Sequence, residues 1–142
     1  MLAPNRMTIL VTALALPLVA GCSKQAFVEG SVTFNGRPVR EGSISFEAPD
    51  GATPTFGGTI KDGAYRVEVP AGATGPRVVR VVASRQTGRK VPAGPPLPPG
   101  TVLDEIERAP PRYNDRSTLT ADLRPGAVTR YDVEILSDPP VR

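Results

Sequence analysis

The chain has 142 residues, 39% of them hydrophobic, with 17 basic and 14 acidic residues and no histidine. A formal charge of +3 is too balanced to argue for a nucleic-acid partner, and a single cysteine leaves no disulfide to hold the fold. Without histidine there is no imidazole base, imidazole metal ligand or serine–histidine triad, and no acidic loop has the spacing of a calcium site, so neither a metal nor a cofactor is expected.

The first residues have the order of an export signal: a basic Arg6, an uncharged run from Met7 to Ala20, then small residues before Cys22. A run of about 14 residues is too short for a bilayer-spanning helix, which takes roughly 20, and Pro17 disturbs helix near its end. Leu18-Val19-Ala20-Gly21-Cys22 resembles the lipobox of bacterial lipoproteins. The resemblance implies a signal peptide over 1–21, cleavage before Cys22 and lipid on its sulfur. A non-lipidated signal with a buried thiol would instead leave an unpaired cysteine in an oxidising compartment. One acyl chain binds membranes only marginally, whereas two or more anchor stably. Residues 22–25 then form a tether, its three residues past the cysteine reaching about 10 Å. Ser23, rather than Asp, points to the outer membrane, facing the periplasm.

From Phe27 to Phe34, Val28, Val32 and Phe34 share one face and Glu29, Ser31 and Thr33 the other, the period of a half-buried strand. Asn35-Gly36 predicts a tight turn. Ile44 and Phe46 mark a second strand, Phe56, Gly58 and Ile60 a third, and Tyr65, Val67 and Val69 a fourth, the last two joined at Asp62-Gly63. Val78 to Ala83 is nearly continuous in valine and predicts a central strand covered on both sides. The stretch 85–100 holds five prolines and three glycines and reads as a long exposed loop, disordered or binding. Thr101 to Arg108 fits a short helix or an edge strand. Leu119, Ala121 and Leu123 form the next strand, and after Arg124-Pro125-Gly126-Ala127 comes a last one with Thr129, Tyr131, Val133 and Ile135, the two read as an antiparallel pair.

Seven strands with no helix to cover them predict an all-β domain over 26–136, an antiparallel β-sandwich, followed by a tail over 137–142. Val28-Glu29-Gly30-Ser31-Val32-Thr33, Asn35-Gly36-Arg37-Pro38-Val39, Gly42-Ser43-Ile44-Ser45-Phe46 and Asp62-Gly63-Ala64-Tyr65 resemble carboxypeptidase regulatory-like domains, which are transthyretin-like (prealbumin-like) sandwiches. Pro110-Pro111-Arg112-Tyr113-Asn114 and Ser117-Thr118-Leu119-Thr120 resemble an element of bacterial lipoproteins that carry this domain. The resemblance implies an accessory, non-catalytic module and no particular substrate. Transthyretin-like hydrolases that open a purine-derived ring use histidines, so their activity does not carry over.

Two groups of residues invite a functional reading. Arg112, Tyr113, Asn114 and Arg116, in a proline-flanked loop with Asp115, suit a peptide, glycan or protein ligand; alternatively Tyr113 packs on the sandwich and Asn114 caps a turn. Asp104, Glu105 and Glu107 are the densest carboxylates, either a solvated face or the acid and base of a hydrolase acting on envelope polysaccharide. A Ser-Lys dyad through Lys24, Lys61 or Lys90 has no Gly-x-Ser-x-Gly elbow to support it. The sequence therefore predicts a lipid-anchored, non-enzymatic envelope protein with a binding or structural role, attached to the membrane through Cys22 and meeting an envelope protein or polysaccharide.

Overall fold

The computed structural model describes residues 24–139. The predicted signal peptide, the Cys22 lipidation site and the last residues of the tail lie outside the described residues.

The described residues are all-β, ten strands joined in one curled sheet. Strand β1 (Ala26–Phe34) enters the turn at Asn35-Gly36, whose two φ values, 48° and 76°, are those of a primed hairpin turn. The short β2 (Arg37–Pro38) folds back on β1, and β3 (Glu41–Glu47) follows. β4 (Phe56–Lys61) pairs with β3, and Asp62-Gly63, at φ 49° and 77°, makes a second primed turn into β5 (Ala64–Val69), which pairs with β1. Both dipeptides act as their sequence predicts, because Asn, Asp and Gly tolerate positive φ where other residues are strained. Between β4 and β5 the ladder closes at one rung, Lys61↔Ala64. The sheet curls along that line and turns a single apolar face inward.

Alternation supplies that face. Val28, Val32 and Phe34 of β1, Ile44 and Phe46 of β3, Ile60 of β4 and Val67 of β5 all point into the core. Phe46 is fully buried, its ring 5.4 Å from Phe56 and 6.3 Å from Tyr65. Burying such a side chain stabilises by roughly 1.5–3 kcal/mol.

Three sequence expectations change, and one left open is resolved. The valine run lies in β6 (Gly75–Pro92), but only Val79, Val81 and Ala83 are buried, while Val82 is 53% exposed, so β6 is covered on one side. Hydrophobic runs set neither the number of covered faces nor the partner. The predicted loop over 85–100 is strand as far as Pro92, and the chain returns as β7 (Val102–Arg108), an edge strand rather than a helix. This two-stranded ribbon has no buried face of its own and hence no alternation to read. Its register shifts between Gln86 and Lys90, where Gly88 takes φ 83°.

The last two predicted strands do not pair with each other. β8 (Thr120–Leu123) pairs antiparallel with the first half of β6, whereas the final segment crosses to β1 and adds there in parallel as β9 (Val128–Arg130) and β10 (Val133–Ile135). The sheet is thus antiparallel except at this edge. At the break between β9 and β10 the Tyr131 carbonyl passes so close over Gly30 that an added Cβ would sit 1.9 Å from its oxygen. The Tyr65 hydroxyl donates to that carbonyl at 2.5 Å, and Asp132 accepts the Ser31 N–H at 2.7 Å and its hydroxyl at 2.9 Å. Burial, and then the nearby Asp132 charge, push the Tyr65 hydroxyl pKa well above its ordinary range.

Candidate functional site

The loop singled out from the sequence begins at the buried Pro110 and forms a 3-10 turn, Pro111–Tyr113. Its main chain is closed by N–H donation from Asn114 and Arg116 to the Pro111 carbonyl at 3.0 and 2.8 Å. Arg112 lies over the Tyr113 ring, 5.0 Å from its centroid, donates to the Leu136 carbonyl at 2.5 Å and pairs with Asp138. The Tyr113 hydroxyl accepts the Leu136 N–H at 3.1 Å, and its ring packs against the core. Asn114 offers its carbonyl to Arg80, and Arg80 also pairs with Glu47 at 2.8 Å. The structure therefore joins Arg112 and Tyr113 to the 136–138 segment, and Asn114 to β6. The exposed Arg116 side chain makes no hydrogen bond or ion pair among the described residues. Only Asn114 and residues beyond the loop, including Glu41, Val82 and Arg108, meet at a recess, of about 540 Å³.

The three carboxylates of β7 have partners on β6. Asp104 pairs with Lys90 at 2.6 Å, Glu105 with Arg89 at 2.7 Å and Glu107 with Arg85 at 2.5 Å. Hydrogen bonds from Thr87, and then from Arg89, hold the Glu105 carboxyl below the usual carboxylate range. A general acid working near neutrality needs the opposite shift. Among the described residues, no group of three or more His, Cys, Asp or Glu is placed to hold a metal ion, and no helix is long and apolar enough to cross a membrane.

A groove of about 570 Å³ opens where the two primed turns and the base of the ribbon meet. Arg37, Arg40, Lys61 and Arg85 line it with Glu41 and Asp62, and Phe34, Pro38, Val39 and Ile106 give it an apolar side. Arg85 continues the inward phase of Val79, Val81 and Ala83 one position beyond the core. Its guanidinium sits 5.2 Å over the Phe34 ring, and one nitrogen pairs with Glu107, while its Nε is shielded from solvent and has no hydrogen-bond partner. Arg37, Arg40 and Lys61 have no ion pair among the described residues. Sequence reading named Lys61 only as a dyad candidate and did not group it with Arg37, Arg40 and Arg85, because the four come from separate segments. The one usable signal was Arg85 falling in step with the buried valines.

No protein-family model, curated protein or solved structure matches the chain.

Proposed function

We propose that this protein is a lipid-anchored, non-catalytic module of the bacterial cell envelope that binds its ligand in the groove beside Arg85. The observation that carries the binding role is three cations that form no ion pair among the described residues, gathered with Arg85 around one opening. The anchor rests on the lipobox-like sequence ending at Cys22. The curled sheet, with its single-rung fold between β4 and β5, is compatible with a transthyretin-like sandwich, the fold that the resemblance to carboxypeptidase regulatory-like domains implies. A hydrolase working through Asp104, Glu105 and Glu107 draws no support from carboxylates that are each paired with a cation.

Fractionation tests the anchor. Cys22→Ala should release the protein from membranes or leave its leader uncleaved, with loss of lipid labelling. Unchanged lipid labelling refutes the anchor, and glycan or ester turnover that Glu107→Gln abolishes refutes the non-catalytic role.

A further inference from the structure

The chemistry of the groove narrows its ligand. Arg37, Arg40, Lys61 and Arg85 call for carboxylates, and the guanidinium fork of Arg85 suits their planar geometry. Glu41 and Asp62 stand in the same wall. They repel a dense polyanion and call for ligand N–H groups.

The apolar surface offered is aliphatic. Phe34 is 1% exposed beneath Arg85, whereas Ile106 is 62% exposed. No aromatic face is presented here for a sugar ring to stack on.

Main-chain geometry adds a further feature. The ladder between β3 and β6 ends at Gly42↔Ala83, and the Ala83 carbonyl accepts the Ala109 N–H on the opposite edge. Antiparallel alternation then turns the N–H and C=O of Gln86 away from β7, toward the groove that Gln86 lines. No described strand pairs with them there. Unpaired edge groups receive extended peptides.

We propose that the groove binds a short acidic peptide, its carboxylates on Arg85, Lys61 and Arg40, its N–H groups on Glu41 and Asp62, and its main chain along Gln86. This deepens the binding role above and is independent of acylation at Cys22. A volume of about 570 Å³ is within the range of small-ligand sites.

The test is isothermal titration of the full-length protein with the tripeptide Ala-Glu-Glu. Controls are its acetylated form, the neutral Ala-Gln-Gln-amide, and digalacturonate as an acidic sugar. Ala-Glu-Glu should bind best, more weakly as salt rises. Arg85→Gln and Lys61→Gln should each reduce its affinity about tenfold, ~1.4 kcal/mol. Glu41→Gln should weaken Ala-Glu-Glu more than its acetylated form, and Glu107→Gln, which frees Arg85, should tighten both. Thermal unfolding confirms that each variant is folded; should Arg85→Gln fail to fold, the exposed Arg40→Gln replaces it. Equal binding of the neutral peptide, tighter binding of digalacturonate, no binding of Ala-Glu-Glu, or affinities unmoved by the charge variants would each overturn the proposal. Cys22→Ala, tested by fractionation, has no bearing on any of these readings.

Discussion

Strand β6 carries an arginine at each end of its inward-facing apolar run; each guanidinium lies over a phenylalanine and each Nε is shielded without a partner among the described residues, but the two differ in exposure and in ion pairing. Arg77 is 3% exposed, 5.8 Å from the Phe56 ring, and its Nε and Nη1 are buried without a hydrogen-bond partner. Arg85 has a carboxylate partner, about a third of its side chain exposed, and an open groove before it. A cation–π contact contributes about 0.5–2 kcal/mol, less than the several kcal/mol that desolvating an ion costs. The Arg77 end is therefore a burden on stability that its ring contact does not offset. At the Arg85 end, a solvent-screened pair leaves stability nearly unaffected and keeps positive charge available.

The largest effect should come from removing the ring beneath the groove. Phe34→Ala, at 1% exposure, should cost about 3–5 kcal/mol in denaturant unfolding, and Phe56→Ala, half-buried at the other end, should cost less. An equal loss at both would erase the asymmetry. Next comes a change of sign: Arg77→Met should stabilise by about 1–4 kcal/mol, while Arg85→Met should shift stability by less than about 1 kcal/mol. Destabilisation by Arg77→Met would mean that its guanidinium has a partner when the protein is folded.

A smaller effect, sensitive to pH, lies away from β6, beside β1. Hydrogen bonds from the Ser31 N–H and hydroxyl, and then from Arg130, hold the Asp132 carboxyl below its ordinary value. Its contribution is thus complete above the unfolded value of about 3.9 and is lost as pH falls through the lower folded value. Urea midpoints of Asp132→Ala and the parent should differ at neutral pH and converge in acid, the gap remaining under about 1 kcal/mol because the carboxylate is solvent-exposed. The smallest effect belongs to the ribbon: Lys90→Met removes an exposed pair with Asp104 and should leave the unfolding midpoint where it was.

How far these contrasts were visible in advance depends on what a one-dimensional pattern encodes. Val28, Val32 and Phe34 announce their face by alternation, and Asn35-Gly36 and Asp62-Gly63 announce their turns by tolerance of positive φ. The partners of Thr120–Leu123 and Val128–Arg130 are not encoded that way, because alternation says which side is apolar and nothing about which strand lies alongside or in which direction. Residues 85–92 resembled a loop because their pairing rests on main-chain bonds and ion pairs rather than apolar contact. Among the loop residues, Tyr113 sits against the core as its alternative reading had it. The groove escaped notice because its cations come from β2, the β2–β3 link, β4 and β6 and meet only once these have packed together.

The lodging of β9 and β10 beside β1 has a consequence for how the domain is made. Val133 and Ile135 complete a wall that begins at Val28, so residues about a hundred positions apart must find each other before that wall exists. Contacts of such sequence separation slow folding. A nascent chain interrupted near Tyr131 would leave the second half of β1 without β10 and that part of its apolar side exposed to water, a species suited to chaperone capture or proteolysis rather than to partial activity.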